Sequence, residues 1–190
     1  MNTLAIATLV VGCNDISDPV EENFWEQTKG SLGGLVISLA INSTDHIFAA
    51  TLGGIFRSTN NGDSWTEINI GLTNISVYSL VVNSTGHIFA GTGGGEVFRS
   101  TDNGDNWTGV IADLTIFSVR SLVVNSTGHI FAGTERGGVF YSTNNGDNWT
   151  KINNGLTNLL VFSLAINATG YIFAGTDGGG VFRSVESTTR

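Results

Sequence analysis

The chain has 190 residues, 41% hydrophobic and 13% charged, a composition that suits a folded globular protein and excludes a disordered one. Its net charge of −8, with 8 Lys and Arg against 16 Asp and Glu, speaks against nucleic acid and acidic membrane surfaces as partners, because phosphate contacts need clustered cations. A single cysteine, Cys13, excludes an intramolecular disulfide, and 26 Gly against one Pro leave the turns to Gly and Asn.

The chain opens on a short apolar run, "LAIATLVVGC", that ends at Cys13 and gives way to acidic and polar residues. This resembles the end of a bacterial lipoprotein signal peptide. The resemblance implies lipidation of Cys13, residues 1–13 as signal peptide, residues 14–23 as linker, and a place in the cell envelope or outside the cell. Membrane contact would run only through that anchor. The plain alternative is a hydrophobic N-terminus with an unrelated Cys. The run falls well short of the roughly 20 residues that a spanning helix needs.

From residue 24 the chain repeats. Trp65, Trp107 and Trp149 recur at intervals of 42 residues. "SLAINSTDHIFAATLGGIFRS" from Ser38 returns as "SLVVNSTGHIFAGTGGGEVFRS" from Ser79, "SLVVNSTGHIFAGTERGGVFYS" from Ser121 and "SLAINATGYIFAGTDGGGVFRS" from Ser163. Periods of about 40–45 residues belong to propeller blades or helical arrays. Helices are disfavoured, because the segments are short, rich in Val, Ile, Phe and Thr, and broken by Asn and Gly. In chain order each unit reads as four strands, as in "VYSLVVN", "HIFAGT", "EVFRS" and "NWTGVI". The first two are joined by a tight turn in which Gly86, Gly128, Gly170 or Asp45 takes positive φ. The next two are joined by a Gly-rich loop. The predicted fold is all-β, a β-propeller of four-stranded antiparallel blades.

"NFWEQTKGSLGGLVI" aligns with "NWTKINNGLTNLLVF", placing Trp25 on Trp149. Residues 24–190 then read as a lone fourth strand, three whole units and a unit lacking its fourth strand. The expectation is four blades, closed when the N-terminal strand completes the last one. A homodimeric ring and a piece of a longer array stay open as alternatives.

Between the third and fourth strands stand "STNNGDSW", "STDNGDNW" and "STNNGDNW". They share Ser-x-Asp-x-Gly-x-x-Trp, carried by Ser58, Asn60, Gly62 and Trp65, by Ser100, Asp102, Gly104 and Trp107, and by Ser142, Asn144, Gly146 and Trp149. The phrase resembles the Asp-box, or BNR repeat, of sialidases and other bacterial propellers. The chain is also similar to the propellers of photosystem II stability/assembly factors and of bacterial surface proteins with BNR or YVTN-type repeats. The resemblance implies hairpins on the outer rim and a scaffold for protein or glycan binding, without identifying the partner. The chemistry agrees: Ser and Asx side chains close turns, Gly permits positive φ, and Trp anchors the hairpin. Asp102, Asn103 and Asp105 are oxygen-rich, but no bidentate Glu follows at calcium-loop spacing, so neither metal nor cofactor is expected.

Repeated polar residues read as frame. His46, His87 and His129 follow turns, and Tyr171 takes the fourth place. Arg57, Arg99 and Arg183 share one strand position and suit bonds between blades. Varied positions are the candidates for function. Ile37, Tyr78, Arg120 and Phe162 lead into the four first strands, and Leu52, Glu96, Glu135, Arg136 and Asp177 interrupt the Gly-rich loops. Tyr78, Arg120, Phe162, Glu96, Glu135, Arg136 and Asp177 offer the aromatic and charged groups of a binding face. The expected function is an extracytoplasmic, non-catalytic module that binds or scaffolds an unknown protein or carbohydrate. The alternative is a sialidase-like or other glycoside hydrolase. Sialidases carry an Arg-Ile-Pro element, whereas Pro19 here lies outside the repeats. No unique cluster of acids, Tyr and Arg breaks the repeat symmetry as catalysis would require, so no residue is assigned a catalytic role.

Overall fold

The computed structural model describes residues 24–29, 34–110 and 118–188. The signal peptide, linker and Cys13 of the sequence reading lie outside the described residues. The first blade contains β1 (Val36–Ile41), β2 (Ile47–Thr51), β3 (Gly54–Ser58) and β4 (Thr66–Glu67). The second contains β5 (Val77–Val82), β6 (Ile88–Thr92), β7 (Val97–Ser100) and β8 (Thr108–Gly109). The third contains β9 (Val119–Val124), β10 (Ile130–Thr134), β11 (Gly138–Ser142) and β12 (Thr150–Lys151). The fourth contains β13 (Val161–Ile166), β14 (Ile172–Thr176) and β15 (Gly180–Arg183). Within each sheet the strands follow chain order and every pairing is antiparallel, as in a propeller blade.

The turns are made by side chains written into the repeat. Asn42 Oδ1 accepts from Thr44 N, Thr44 Oγ1 and His46 N, so one amide organises the β1–β2 connection. Asn83, Asn125 and Asn167 do the same in the other blades. The residue needed at positive φ is Asp45 (61°) in the first turn and Gly86, Gly128 and Gly170 (84° each) in the others. On the next connection Thr51, Thr92, Thr134 and Thr176 each donate from Oγ1 to a carbonyl across the loop.

The core lies between blades. Phe48 and Ile55 of the first blade bury themselves against Val77, Leu80 and Ile88 of the second. Phe89 and Val97 pack on Val119, Leu122 and Ile130, and Phe131 and Val139 on Val161, Leu164 and Ile172. Each fully buried aliphatic or aromatic side chain contributes roughly 1.5–3 kcal/mol. Gly91 lets the second and third blades approach closely, since a Cβ there would stand 2.6 Å from Val119 Cγ1.

Polar ties repeat across the same seams. Ser38, Ser79 and Ser121 accept at Oγ from the backbone N–H of Leu80, Leu122 and Leu164, at 2.9–3.0 Å. Arg57 Nη1 donates to Asn103 O and Asp105 Oδ1 of the next blade, and Arg99 Nη1 donates likewise to Asn145 O and Asp147 Oδ1.

The expected closure is not found. β1 packs on β5, β5 on β9 and β9 on β13, but no comparable packing joins β13 back to β1. The fourth sheet has three strands among the described residues, and residues 24–29 form no strand. Thr28 instead lies against the first blade, where its Cγ2 would stand 2.9 Å from a Cβ on Gly62. Trp25 is left 85% exposed. Among the described residues the four sheets form an open arc.

Candidate functional site

Each blade's first strand carries a bulge near its start. Pairing slips between Val36 and Ser38, Val77 and Ser79, Val119 and Ser121, and Val161 and Ser163. The extra residues are Ile37, Tyr78, Arg120 and Phe162, the positions at which the repeat varies. A bulge leaves one residue outside the ladder and re-aims its side chain. Strict apolar alternation fails at this place in all four units, which is the signal in the sequence that could have revealed it.

Three of the four bulge residues meet. The Arg120 guanidinium lies 4.3 Å from the centre of the Tyr78 ring and 5.7 Å from that of Phe162, within cation–π range of both. Arg120 Nη2 donates to Glu135 Oε2 at 2.6 Å, a charge-assisted bond between two part-exposed side chains. The hydrogen-bonded Arg120 guanidinium holds the Glu135 carboxyl below its usual range, against the opposing effect of burial. Arg120 Nε is buried without a hydrogen-bond partner. Tyr78 rests on the Gly-rich loop, where a Cβ at Gly93 would stand 3.0 Å from its Cε2. Phe162 is 45% exposed and forms the open side of the cluster.

The other predicted loop residues are not drawn into this cluster by bonds. Glu96 accepts from Thr73 Oγ1 at 2.7 Å. Arg136 is exposed, with φ at 129° and its N–H bonded to Leu159 O, and it acts on Glu135 only through charge. Asp177 is tied through its backbone to Leu160 and Asn158.

The three eight-residue phrases form a turn on the far side of each blade from its first strand. Ser58, Ser100 and Ser142 are buried and accept at Oγ from the N–H of Gly62, Gly104 and Gly146, at 2.8–2.9 Å. The same hydroxyls donate to Asn60, Asp102 and Asn144. Those residues in turn accept from the N–H four residues on. Hydrogen bonds from Asn106 and Ser100 hold the Asp102 carboxyl below its ordinary range. Trp107 is buried and donates to Ile68 O, and Trp149 donates to Val110 O. Trp65 Nε1 is buried without a partner. Among the described residues no group of three or more His, Cys, Asp or Glu gathers to hold a metal.

At the opposite ends of the first strands a groove of about 390 Å³ opens between Ala40, Ile41, Val81, Val82, Val123, Val124 and Ile166. Sequence reasoning missed it, because a surface shared by four blades belongs to their arrangement rather than to any one unit.

Several solved structures share the fold. The chain is 22% identical to the extracellular domain of the B. thetaiotaomicron protein BT4673, with a TM-score of 0.70 over 87% of this chain and 22% of that one. It is 17% identical to YCF48, solved bound to D1 peptide, with a TM-score of 0.61 over 80% of this chain and 51% of that one. It is 15% identical to a GH74 xyloglucanase from Xanthomonas campestris, with a TM-score of 0.65 over 82% of this chain and 29% of that one. The chain thus spans about half the length of YCF48 and less than a third of the other two. No curated protein sequence matches it. The sequence model of the DUF6242 beta propeller domain matches residues 7–115, more than half of the chain. The chain therefore belongs to the DUF6242 beta propeller domain family.

Proposed function

We propose that this chain is an extracytoplasmic, non-catalytic binding module, anchored to the membrane through Cys13, and that its ligand docks on the face built by Tyr78, Arg120, Phe162 and Glu135. The observation that carries the reading is the Arg120 cluster. In a frame that repeats almost residue for residue, the bulge positions differ from blade to blade, and two of them, Tyr78 and Phe162, converge on the guanidinium of a third, Arg120. Aromatic faces beside a charged pair suit a peptide or a carbohydrate, which offers both apolar faces and hydrogen-bonding groups. The buried, unpaired Arg120 Nε–H supports the same reading, since an unsatisfied charged donor costs stability that a ligand acceptor could relieve.

Peptide and glycan arrays probed with the purified chain test the proposal, alongside turnover of fluorogenic sialosides and aryl glycosides. The expected result is a restricted ligand set that Tyr78→Ala and Arg120→Ala abolish, with no turnover. Turnover that fails in Glu135→Gln would overturn the non-catalytic reading in favour of a glycosidase.

A further inference from the structure

We propose that two copies of this chain join head to tail into one eight-bladed ring, residues 24–28 of each copy supplying the fourth strand of the other's last blade. Apolar packing and a Ser tie recur at all three seams inside the arc, and Arg–Asp, Asn–Asn and Trp–carbonyl ties recur at the first two. One end of the arc presents half of that set and the other end presents the complementary half.

The apolar parts come first. Within the arc, Val77 and Leu80, Val119 and Leu122, and Val161 and Leu164 are buried against Ile55, Val97 and Val139 of the preceding blade. At the leading end the equivalent residues, Val36 and Leu39, are 37% and 62% exposed, whereas Leu80 is 4% exposed. At the trailing end Val181, equivalent to Ile55, is 73% exposed. Apolar patches of this kind mark association surfaces, and here each patch matches one half of a seam the molecule already builds.

The polar parts follow the same pattern. Arg57 and Arg99 reach the next blade's Asp105 and Asp147 at 2.8 Å. Arg183 occupies the same strand position, lies over its own Tyr171 ring and is exposed, and the exposed Asp63 is the acid at the other end. Asn42 and Asn83 donate from Nδ2 to Asn103 and Asn145. The pattern assigns Asn167 to Asn61. Ser163, equivalent to Ser38, Ser79 and Ser121, is exposed on β13, and the second copy's Leu39 N–H is the donor it would accept. Trp107 and Trp149 donate to the carbonyl three residues after the preceding blade's Trp. For Trp65 that carbonyl belongs to Thr28, and this is the Trp whose Nε1 is buried and unpaired. Pairing of Arg57 with Thr66 and of Phe56 with Glu67 sets the strand register, which puts Glu26 opposite the second copy's Arg183 and Gln27 opposite its Phe182.

A second copy is the occupant because, among the described residues, each exposed half-seam at one end has its complement at the other, while β1 and β13 of one chain do not pack as neighbouring first strands do. A head-to-tail contact makes a closed ring when the rotation completes a circle. Two copies of four blades give eight, at the upper end of the roughly four to eight blades that propellers hold. The ring would also place the second copy's Ile37 next in line after Phe162 on the binding face.

Light scattering after gel filtration tests this with the full chain and two charge variants, Arg183→Glu and Asp63→Arg, both at exposed positions. The wild type should run at twice the 20.0 kDa chain mass. Each variant alone brings like charges together at both seams and should dissociate at least about tenfold more readily. In an equimolar mixture an Arg183→Glu copy meets an Asp63→Arg copy. One seam then carries the ion pair with its charges exchanged and the other carries the native pair of Arg183 and Asp63, so the doubled mass should return. A wild type that is monomeric at every concentration, an open polymer, or a dimer indifferent to either variant and to mixing would each overturn the proposal.

Discussion

Ser100 shows how much one hydroxyl holds. It is 1% exposed, accepts from Gly104 N–H at 2.8 Å and donates to Asp102. Ser100→Ala leaves that buried N–H without an acceptor, so urea unfolding should show a loss of about 1–3 kcal/mol. Asp102 makes a sharper comparison, because Asn60 and Asn144 fill the same place and accept the same backbone bond. Asp102→Asn should therefore change stability at pH 7 by less than about 1 kcal/mol. Its effect lies in acid. A carboxylate held below its ordinary range contributes stability that is complete above the unfolded value of about 4 and is lost as pH falls through the folded value. Thermal melts between pH 7 and pH 2 should show the wild type losing more stability than Asp102→Asn below about pH 4. At this scale the sequence was highly legible: Ser, Asx, Gly and Trp at fixed spacing state a turn, and the turn forms. The bulge at Tyr78 and Arg120 left only a break in apolar alternation as its sign, because the slip itself is defined by the pairing partner.

Blades hold to one another through their faces more than each holds together through a core of its own. Leu80 and Leu39 occupy the same place in successive units, yet one is sealed in a seam and the other faces solvent. Leu80→Ala should cost about 2–5 kcal/mol in denaturant unfolding. Leu39→Ala should cost the dilute single chain less than about 0.5 kcal/mol. Equal losses would mean that the leading face is already covered. The strand order and the two loop types followed from alternation and from Asn and Gly placement. The outer strands fell short of their expectation: "NWTGVI" reads as a full strand, but only Thr108 and Gly109 pair. Next to them Val110 still donates from its N–H to Val97 O of its own blade, while its carbonyl accepts from the Trp149 indole of the neighbouring blade.

For the whole molecule the repeat announced a propeller, while ring closure stayed out of reach. Closure depends on the angle between blades, and that angle is set by packing such as Gly91 against Val119, not by any local pattern. The sequence reads the N-terminal segment as the fourth strand of the last blade, but residues 24–29 form no strand and Thr28 lies against Gly62 of the first blade. Function too is proposed to arise across blades, with a repeated frame holding a few varied positions that act together. Comparing Arg120→Ala with Arg99→Ala on the same peptide and glycan arrays tests that division most directly, with a thermal melt of each. Arg120→Ala should lose the ligands with its melting temperature nearly unchanged, and Arg99→Ala should melt earlier yet keep the wild-type ligand set. A ligand set that survives Arg120→Ala but changes in Arg99→Ala would contradict that division.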